Sequence, residues 1–441
     1  MANALTVAGS DSVGGAGLQA DLKAFEAAGV HGCSVVTCVT SQNTRGVASI
    51  FAIPVKQVLS QLDSVLEDVD IDAVKTGMLY TSDIVRAVAS RLRGLDCHIV
   101  VDPVMAATTG GSLHRPGFVE SLSSELLPIC SLVTPNIREA SRLSGIEIRD
   151  EDGVRAAGRK ILDLGPEAVM IKGGHLKGSE AADYLFTRGR VVRLTSPMVK
   201  GEVHGTGCTL ASLIAANLAL GKGLEDAVRT SKKAIYKAIL AREKVGLGVP
   251  CANPLAVLRI EAGKVRMLEE LESAAQRLEQ ILDPTLIPEV GINLGYAVLG
   301  ALEPEEVAAF SGRICRVGRR AVRTGSPMFG ASKHVARIVL AASSHDPETR
   351  CAMNIKYSER NLAACRSAKF RISSFDRAEE PRGVSSMTWG VHRAIESLGK
   401  MPDVIFDKGG VGKEPMIRIL GKTPSDVLRK LERIIEHLGP G

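Results

Sequence analysis

The chain has 441 residues, of which 45% are hydrophobic and 24% are charged, and its formal net charge is +6. This length and balance are typical of two or three globular domains that each bury a core. No apolar run approaches the roughly 18 residues that a membrane-spanning helix requires, and the first residues lack the basic start of a secretory signal. Nine scattered cysteines without a C-x-x-C pair exclude a disulfide framework or zinc ribbon and favour the reducing cytoplasm.

Positive charge is concentrated in the C-terminal part of the chain. Residues 264–441 carry five more basic than acidic residues, against one for residues 1–263, and within 313–382 there are 15 basic and 6 acidic residues. Such an excess indicates an anionic ligand, a solvated face or a nucleic acid. With only 15 aromatic residues in the chain, a stacking platform for single-stranded nucleic acid is disfavoured.

The first 240 residues alternate short apolar runs with Ala/Leu-rich amphipathic stretches. Strands that alternate with helices of 10–15 residues predict a mostly parallel α/β sheet, and strands this apolar predict helices on both of its faces. The predicted strands are 4–8, 34–39, 73–75, 99–101, 132–134 and 169–172, and the predicted helices include 18–28, 82–92, 153–164 and 206–220.

A second α/β pattern follows a break in the chain. Residues 246–254 are rich in Gly and Pro and predict the end of the first domain. We therefore expect domains at 1–254 and 264–441, a linker at 255–263, and a protease-sensitive joint at 246–254. The elements predicted beyond the break are helix 267–282, helix 331–341, strand 403–406 and helix 423–438.

Two glycine-rich loops carry the first chemical signals. Loop 9–17 follows a strand and enters a helix with Asp21, whose carboxylate is suited to hold a hydroxyl or amino group; a tight strand-to-helix turn explains these glycines equally well. The stronger signal is Gly205-Thr-Gly207-Cys208 at a helix start, where exposed amides bind phosphate and lower the pKa of a thiol. Cys208 is therefore a candidate base, and a packed core cysteine is the alternative.

Polar residues that follow other strands predict a nucleotide and metal site. Asp102 follows one strand, and Asn136 and Glu139 lie on one helical face after another. Carboxylate and amide oxygens that share Mg²⁺ with phosphates suit a kinase. Lys172 ends a further strand and is suited to a nucleotide phosphate. The alternatives are an exposed helix charge for Glu139 and a solvated strand end for Lys172.

Seven glycine-rich or polar motifs occur in order over residues 4 to about 254. They are Gly9-Ser-Asp-Ser with Gly-Gly-Ala-Gly-Leu-Gln-Ala-Asp-Leu-Lys23, Ser41-Gln-Asn-Thr44, Lys75-Thr-Gly-Met78, Asp102-Pro-Val-Met105, Thr134-Pro-Asn136, Lys172-Gly-Gly-His175 and His204-Gly-Thr-Gly-Cys208. With these motifs the chain resembles the hydroxymethylpyrimidine/phosphomethylpyrimidine kinases of thiamine biosynthesis. Val13 and segment 106–109 depart from the family's pattern and concern only the substrate loops.

The resemblance implies a fold, an activity and several site residues. It implies a ribokinase-like three-layer α/β/α domain that uses ATP and Mg²⁺ to phosphorylate an aminopyrimidine alcohol and then its monophosphate. It implies that Cys208 is the base. It places Gln42 and Met78 in the pyrimidine pocket, where an amide can pair with the aminopyrimidine edge and a thioether can face the ring. Gly9 and Asp21 are expected nearby.

The second domain carries weaker single signals. A strand near its end is followed by a glycine loop with Lys408 and Lys413, which is suited to cradle phosphate; an ordinary turn with solvated lysines is the alternative. Arg371 and Arg377 flank two serines and offer planar forks suited to diphosphate. His392 lies on a predicted helix after the single Trp, where packing is the commoner role.

Residues 264–441 resemble the ThiN-type thiamine-phosphate synthase domain. This implies a smaller three-layer α/β fold that joins a pyrimidine diphosphate to a thiazole phosphate and releases diphosphate. Because negative charge develops on the leaving diphosphate, Arg371 and His392 are the expected catalytic residues, and Arg377, Lys408 and Lys413 the expected substrate-binding residues. The matching stretches are 289–293, 329–332, 334–337, 353–357, 371–377, 389–392 and 403–416.

The main hypothesis is therefore a bifunctional enzyme that catalyses consecutive steps on one chain. Its substrates are small molecules: the aminopyrimidine alcohol, its phosphates and thiazole phosphate. The alternative is a monofunctional pyrimidine kinase whose C-terminal domain senses a ligand without catalysis. We expect a cytoplasmic homo-oligomer that binds neither nucleic acid nor membrane. A DNA-reading domain is disfavoured because the stretch between Pro254 and Pro284 has room for only about one helix.

Overall fold

The computed structural model of the chain describes residues 1–106, 111, 113–174, 180–381, 383 and 385–438. The chain divides into two compact units, Met1–Arg259 and Ile260–Gly441, and each unit has its own sheet and its own cores. Among the helices of the described residues, none is both long and apolar enough to span a membrane.

A sheet of nine described strands runs through the first unit. The strands are β1 (Asn3–Ser10), β2 (His31–Asn43), β3 (Gly46–Ala52), β4 (Ala73–Thr76), β5 (His98–Val101), β6 (Leu132–Val133), β7 (Ala168–Lys172), β8 (Glu180–Thr187) and β9 (Arg190–Pro197). Their order is β3-β2-β1-β4-β5-β6-β7-β8-β9. From β2 to β7 neighbouring strands are parallel, whereas β3, β8 and β9 pair antiparallel at the two sides.

Helices cover both faces of this sheet. They are α1 (Gly17–Ala27), α2 (Val55–Leu66), α3 (Ser82–Leu92), α4 (Phe118–Ser121), α5 (Ile137–Ser144), α6 (Glu151–Leu162), α7 (Thr206–Ala219) and α8 (Leu224–Leu240), with π and 3₁₀ turns at Leu122–Leu126 and Leu127–Ile129. Leu5 and Val7 of β1 belong to the core under α2, α3 and α6, while Ala4 belongs to the core under α1, α7 and α8. Strands β1 and β4 to β7 are largely buried because helices cover both faces of the sheet, which confirms the predicted three-layer arrangement.

The predicted joint at 246–254 is part of the first unit. Glu243 and Cys251 exchange backbone hydrogen bonds of 2.8 and 2.9 Å, and the amide of Val249 donates to the carbonyl of Thr44 at 2.9 Å. A single helix, α9 (Ala256–Ile281), follows directly and takes up residues 256–263 of the predicted linker. Long-range backbone pairing therefore holds these turn-forming residues within the first unit, and protease sensitivity at 246–254 stays a prediction.

The second unit contains nine described strands, seven of which form a smaller sheet. Its strands are β10 (Leu294–Ala297), β11 (Val307–Phe310), β12 (Ile314–Val317), β13 (Arg320–Arg323), β14 (Pro327–Phe329), β15 (Cys351–Lys356), β16 (Ile372–Ser374), β17 (Val404–Asp407) and β18 (Met416–Gly421). The main sheet has the order β14-β11-β10-β15-β18-β17-β16, and β12 and β13 form a separate hairpin. Strands β16 and β17 are parallel, and the other neighbours are antiparallel.

Two helical layers cover this second sheet, as predicted. Its helices are α10 (Lys333–His345), α11 (Glu359–Ser367), α12 (Ser386–Leu398) and α13 (Pro424–Glu436), with 3₁₀ turns at Pro284–Leu286, Pro304–Glu306 and Arg377–Glu379. Leu271 of α9, Leu362 of α11 and Leu431 of α13 share one core. Val335 of α10 and Val391 of α12 share the other. The second unit is therefore also a three-layer α/β fold.

Candidate active sites

The sequence-predicted residues of the first unit meet at one edge of its sheet. The carboxyl ends of parallel strands lie side by side, so the loops that follow them converge there. Asp11 follows β1, Met78 follows β4, Asp102 follows β5 and Asn136 follows β6. Lys172 ends β7, and it forms a parallel bridge with Asn136.

Asp11 organises the loop that follows β1. Its carboxylate accepts hydrogen bonds from the amides of Val13, Gly15 and Ala16 at 2.8–3.0 Å. It also lies 3.0 Å from Nε2 of His204, whose ring belongs to the loop before α7. Although burial opposes ionisation, these hydrogen bonds lower the pKa of Asp11. The loop after β1 is therefore tied to the start of α7.

Glycine is required where these two segments touch. Gly205 has a φ of +80°, and a Cβ at this position would lie 1.7 Å from the carbonyl oxygen of Gly15. Gly207 approaches the end of β7 so closely that its Cβ would lie 3.2 Å from Nζ of Lys172. Within the described residues, no side chain caps the N-terminus of α7. Its first amides are thus available to an anion beside an ammonium group.

Asp21 lies beneath this edge rather than at its surface. Its side chain is fully buried and accepts hydrogen bonds from Thr6 at 2.7 Å, from Lys75 at 2.8 and 2.9 Å and from Ser212 at 2.7 Å. Burial disfavours the charged form of Lys75, but the neighbouring Asp21 outweighs this effect and raises the pKa of Lys75. These partners occupy both oxygens of Asp21, so its position favours a role in holding Lys75 over direct contact with a ligand.

Cys208 lies in the first turn of α7, close to Lys75. Burial raises the pKa of the Cys208 thiol to about 11, and the charges of Asp21 and Asp102 act in the same direction. The Lys75 ammonium and a hydrogen bond from the amide of Gly17 oppose this rise. The expectation that the helix N-terminus lowers this pKa was wrong, because loss of water around the sulfur outweighs the favourable charges.

A second charged group lies beside the start of α7. Lys172 donates to Asp102 at 2.9 Å, and Thr134 donates to the same oxygen at 3.3 Å. Glu139 and Asn136 form a capping box on α5, in which Glu139 accepts from the Asn136 amide at 2.8 Å. Burial raises the pKa of Glu139 to about 7, with Lys172 lowering it and Asp102 raising it. Glu139 is thus a buried carboxyl rather than an exposed helix charge.

Met78 lies in a small apolar cluster with Cys38, Tyr80 and Leu113. A Cβ on Gly9 would lie 2.6 Å from Sγ of Cys38 and 3.4 Å from Sδ of Met78, so glycine at position 9 lets the strand pass against this cluster. The sulfur atoms of Cys38 and Met78 thus lie beside the carboxyl end of β1.

Gln42 lies at the side of the same loop. Its Nε2 is 3.0 Å from Nε2 of His204, and its backbone amide donates to Ser12 at 3.0 Å. The structure therefore brings Gln42, Asp11 and His204 into one polar chain. Two parts of the predicted motifs lie outside the described residues. They are His175, which ends the motif that begins at Lys172, and residues 107–109 of the divergent segment 106–109.

In the second unit, Arg371 lies at the amino end of β16. Its guanidinium donates to both oxygens of Asp403 at 3.0 and 3.2 Å, and its side chain is about half exposed at 49%. Lys430 pairs with the same carboxylate at 2.9 Å. Although burial opposes ionisation, these hydrogen bonds lower the pKa of Asp403. The fork of Arg371 thus has a carboxylate partner.

His392 contacts a second histidine. Its Nδ1 lies 2.7 Å from Nε2 of His345, and the ring centres are 4.9 Å apart. Partial burial, and then His345, lower the pKa of His392. His345 is the last residue of α10, about 16 Å along the helix from His334 at the other end.

Arg377, Lys408 and Lys413 lie at the carboxyl end of β17, the opposite end from Arg371. Arg377 pairs with the buried Asp407 at 2.5 Å. Lys413 donates to Glu380 at 3.1 Å and to Ser386 at 3.0 Å. Lys408 is exposed. The structure thus places Arg377, Lys408 and Lys413 apart from Arg371 and His392.

Sequence reasoning missed Arg418. It is 1% exposed on β18, and its Nη2 lies 2.7 Å from Oδ2 of Asp407. The signal was present, since Arg418 interrupts the apolar run Met-Ile-Arg-Ile-Leu at 416–420. A charge inside a continuous apolar strand needs a partner, and only the neighbouring strands show which one.

Two family models match the chain in the same order as its two units. The model for phosphomethylpyrimidine kinase matches residues 11–253, and the model for thiamine-phosphate synthase ThiN matches residues 270–433. A Methanocaldococcus jannaschii protein described as the bifunctional thiamine biosynthesis protein ThiDN is 34% identical over 432 residues, which cover 98% of this chain and 97% of that protein. The chain belongs to the bifunctional ThiDN family. The predicted family is thereby confirmed.

Other relatives match the first unit of the chain. A Rhizobium meliloti hydroxymethylpyrimidine/phosphomethylpyrimidine kinase is 46% identical over 56% of the chain and 93% of its own length. A Staphylococcus aureus pyridoxal kinase solved with AMP-PCP and pyridoxal superposes with a TM-score of 0.55 and 32% identity, over 59% of this chain and 96% of that one. This likeness confirms the ribokinase-like fold.

Proposed function

We propose that the two units catalyse consecutive steps of thiamine phosphate formation. The first unit phosphorylates 4-amino-5-hydroxymethyl-2-methylpyrimidine to its monophosphate and then to its diphosphate. The second unit joins the diphosphate to thiazole phosphate and releases diphosphate. The observation that carries the kinase proposal is the meeting of Cys208, Lys172 and the amides of α7 at the edge where β4, β5 and β7 end.

The phosphates of ATP bind between the end of β7 and the start of α7. Lys172 provides an ammonium group, and the amides that follow Gly205 and Gly207 point toward the same space. Phosphoryl transfer needs positioning and neutralised charge more than covalent chemistry, and this pair of elements supplies both. Relatives solved with AMP-PCP and ADP support ATP as the donor.

Asp102 and Glu139 would hold Mg²⁺, with Asn136 fixing the orientation of Glu139. The charge of Asp102 raises the pKa of Glu139, and a divalent cation held by these carboxyls would offset that cost. Within the described residues, no group of three or more His, Cys, Asp or Glu side chains forms a complete metal site. The pair therefore fits an ion that keeps water and phosphate oxygens as its other ligands and neutralises phosphate charge.

Cys208 acts on the substrate hydroxyl from the first turn of α7. Because burial raises the pKa of this thiol, the sulfur is protonated at neutral pH in the structure as described. Lys75, held by Asp21, is the nearby positive charge that stabilises a thiolate when the proton moves. We therefore assign Lys75 and Asp21 as positioning residues for the base.

The pyrimidine lies on the apolar cluster of Met78, beside Gly9, with its polar edge toward Gln42. An uncharged aminopyrimidine needs a flat apolar contact and paired donor and acceptor groups, which a thioether and an amide supply. Asp11 holds the His204 ring in place, and this ring lies 3.0 Å from the side-chain amide of Gln42, which positions that amide. This arrangement orients the hydroxymethyl group toward Cys208.

In the second unit, the synthase reaction requires cations that stabilise the departing diphosphate. Arg371 and His392 stay our candidates for catalysis, and Arg377, Lys408 and Lys413 for substrate binding. The basic excess of the segment that contains Arg371 and Arg377 supports this proposal.

We also propose that the chain acts as a homo-oligomer in the cytoplasm. Its nine cysteines are all free, which fits a reducing compartment. A particle mass of 46.7 kDa in light scattering, equal to a single chain, would contradict the oligomer.

One experiment tests both activities. Purified protein is incubated with the pyrimidine alcohol, thiazole phosphate and Mg-ATP, and thiamine phosphate is measured by chromatography. Formation of thiamine phosphate supports the bifunctional proposal. Accumulation of pyrimidine diphosphate without thiamine phosphate would instead support a kinase with a ligand-sensing second unit.

A further inference from the structure

Arg418 is a buried charge on a central strand of the second sheet. β18 lies between β15 and β17, and its side chains alternate between the two cores. Ile417 and Ile419 face one core, while Leu420 faces the other, beneath α10 and α12. Arg418 shares the face of Leu420, and its guanidinium lies 5.3 Å from the ring centre of Phe375 on that face. A guanidinium in this place is costly unless it is neutralised.

The neutralisation around Arg418 is incomplete. Asp407 is the buried carboxylate that faces it, and the same carboxylate also pairs with Arg377 at 2.5 Å. Two guanidinium groups therefore share one negative charge. Within the described residues, Nε of Arg418 has no hydrogen-bond partner. A second acid near Arg377, Glu380, is engaged by Lys413 and Ser386.

Further positive groups converge on the same place. Partial burial of its ring and the charges of Arg418, Arg377, Arg313 and Arg337 lower the pKa of His334 to about 4. His334 lies in the first turn of α10, a 13-residue helix that no described side chain caps. The positive end of that helix thus adds to the excess charge.

A glycine loop and an exposed histidine lie beside the cluster. His334 is exposed, and the loop from Gly409 to Gly412 begins two residues after Asp407. Both of these glycines have positive φ angles, of +78° and +68°. The amide of Gly409 donates to Asp407 at 2.9 Å, so the loop is anchored at the cluster.

We propose that Arg418, Arg377 and the N-terminus of α10 form a binding site for a phosphate or diphosphate group. The site rests on the proposed synthase function, whose two substrates both carry such groups. An anion here would satisfy Nε of Arg418 and balance the second guanidinium. Arg371 and His392 lie elsewhere in the unit and do not take part in this site.

Binding of inorganic anions to the full-length chain tests the proposal. Inorganic pyrophosphate and inorganic phosphate are titrated separately by calorimetry, with AMP-PCP in excess to occupy the first unit. We expect Arg418→Met to weaken anion binding by about 10–100-fold, the effect of losing one charged hydrogen-bonding group. Tighter binding of pyrophosphate would assign the site to the pyrimidine diphosphate and would count against Arg371 and His392 as the groups that stabilise the departing diphosphate. Tighter binding of phosphate would assign the site to thiazole phosphate.

Folding can be separated from binding. In Arg418→Met, Asp407 keeps Arg377 as its partner, so a buried pair with balanced charge remains and the melting temperature should not fall sharply. Arg377→Met provides a second variant and should also weaken binding. The matched control is Arg350→Met, because Arg350 also lies over an aromatic ring, 5.2 Å from that of Tyr296, but at the other end of β15. It should bind pyrophosphate like the parent.

The outcomes distinguish this site from the wider function. Parent-like pyrophosphate binding in folded Arg418→Met, or no anion binding in the parent, would overturn the site. If the parent forms thiamine phosphate and Arg418→Met forms it equally well with unchanged Michaelis constants, the site is also wrong while the synthase function stands. If the parent binds pyrophosphate through Arg418 but forms no thiamine phosphate, the site stands and the synthase function is wrong.

Discussion

Replacing Glu139 with glutamine should make the protein more stable at high pH. Burial raises the pKa of Glu139 from 4.5 to about 7, so the native state holds this proton more tightly than the unfolded state does. The parent therefore loses stability as the pH rises from about 4.5 through about 7. The glutamine side chain of the variant has no proton to lose, and its carbonyl can still accept the hydrogen bond from the Asn136 amide.

The size of the effect follows from the shift. A difference of about 2.5 in pKa corresponds to about 3 kcal/mol when the carboxyl is fully ionised. Urea unfolding of the full chain in EDTA should show Glu139→Gln more stable than the parent by about 3 kcal/mol at pH 8 and by less than about 1 kcal/mol at pH 5. Comparing variant with parent cancels the contribution of the second unit.

A control and a ligand sharpen this test. Glu120→Gln, which changes an exposed carboxyl in the first turn of α4, should alter stability by no more than about 0.5 kcal/mol at either pH. Mg²⁺ should stabilise the parent more than Glu139→Gln, because the proposed ion uses the carboxylate. The argument from the buried carboxyl would be refuted if Glu139→Gln gained the same free energy of unfolding over the parent at both pH values, or if it were less stable than the parent at pH 8.

Three further predictions concern the two activities. Cys208→Ala should lower kinase turnover by about 10²–10⁴-fold in steady-state assays, while thiamine phosphate still forms from supplied pyrimidine diphosphate. The control is Cys97→Ala, because Cys97 precedes β5 at the end of this strand that lies away from Asp102. Near-parent kinase activity in Cys208→Ala would return this thiol to a packing role. Asp21→Asn should lower the free energy of unfolding, measured with urea, by about 3–5 kcal/mol, because Lys75 is left buried and unpaired. Adding Lys75→Met should recover much of that loss. A stable Asp21→Asn with a raised Michaelis constant would instead place Asp21 at the substrate. Arg371→Ala and His392→Ala should each lower thiamine phosphate formation by about 10²-fold with kinase rates unchanged, and a folded Arg371→Ala with parent activity contradicts that assignment.

Local patterns in the sequence determined the main elements and the order of the kinase motifs. Helix α3 has the predicted bounds because Thr81 caps its start and its apolar residues recur on one face. Strands β3, β8 and β9 were not predicted. They lie at the sides of the sheet, where β3 and β9 are largely unburied and β8 is buried over five successive residues, so no single period marks them and their existence depends on pairing with neighbours.

The edge that holds the kinase residues followed from the sequence as well. Parallel strands bring their following loops together, so Asp102, Asn136 and Lys172 could be placed at one site without coordinates. Their exact partners could not. The bond between Lys75 and Asp21 joins residues 54 positions apart, and it exists because β4 lies next to β1 beneath α1 and α7.

Only the tertiary structure decided the electrostatics of the two sites. Burial raises the pKa of the Cys208 thiol, against the predicted direction, because the loss of water at the sulfur outweighs the Lys75 ammonium and the hydrogen bond from the Gly17 amide. Long-range packing also paired Arg371 with Asp403 and left Arg418 and Arg377 with one carboxylate between them. Charge balance and solvation depend on which distant residues surround a group, and no local pattern in the chain encodes that environment.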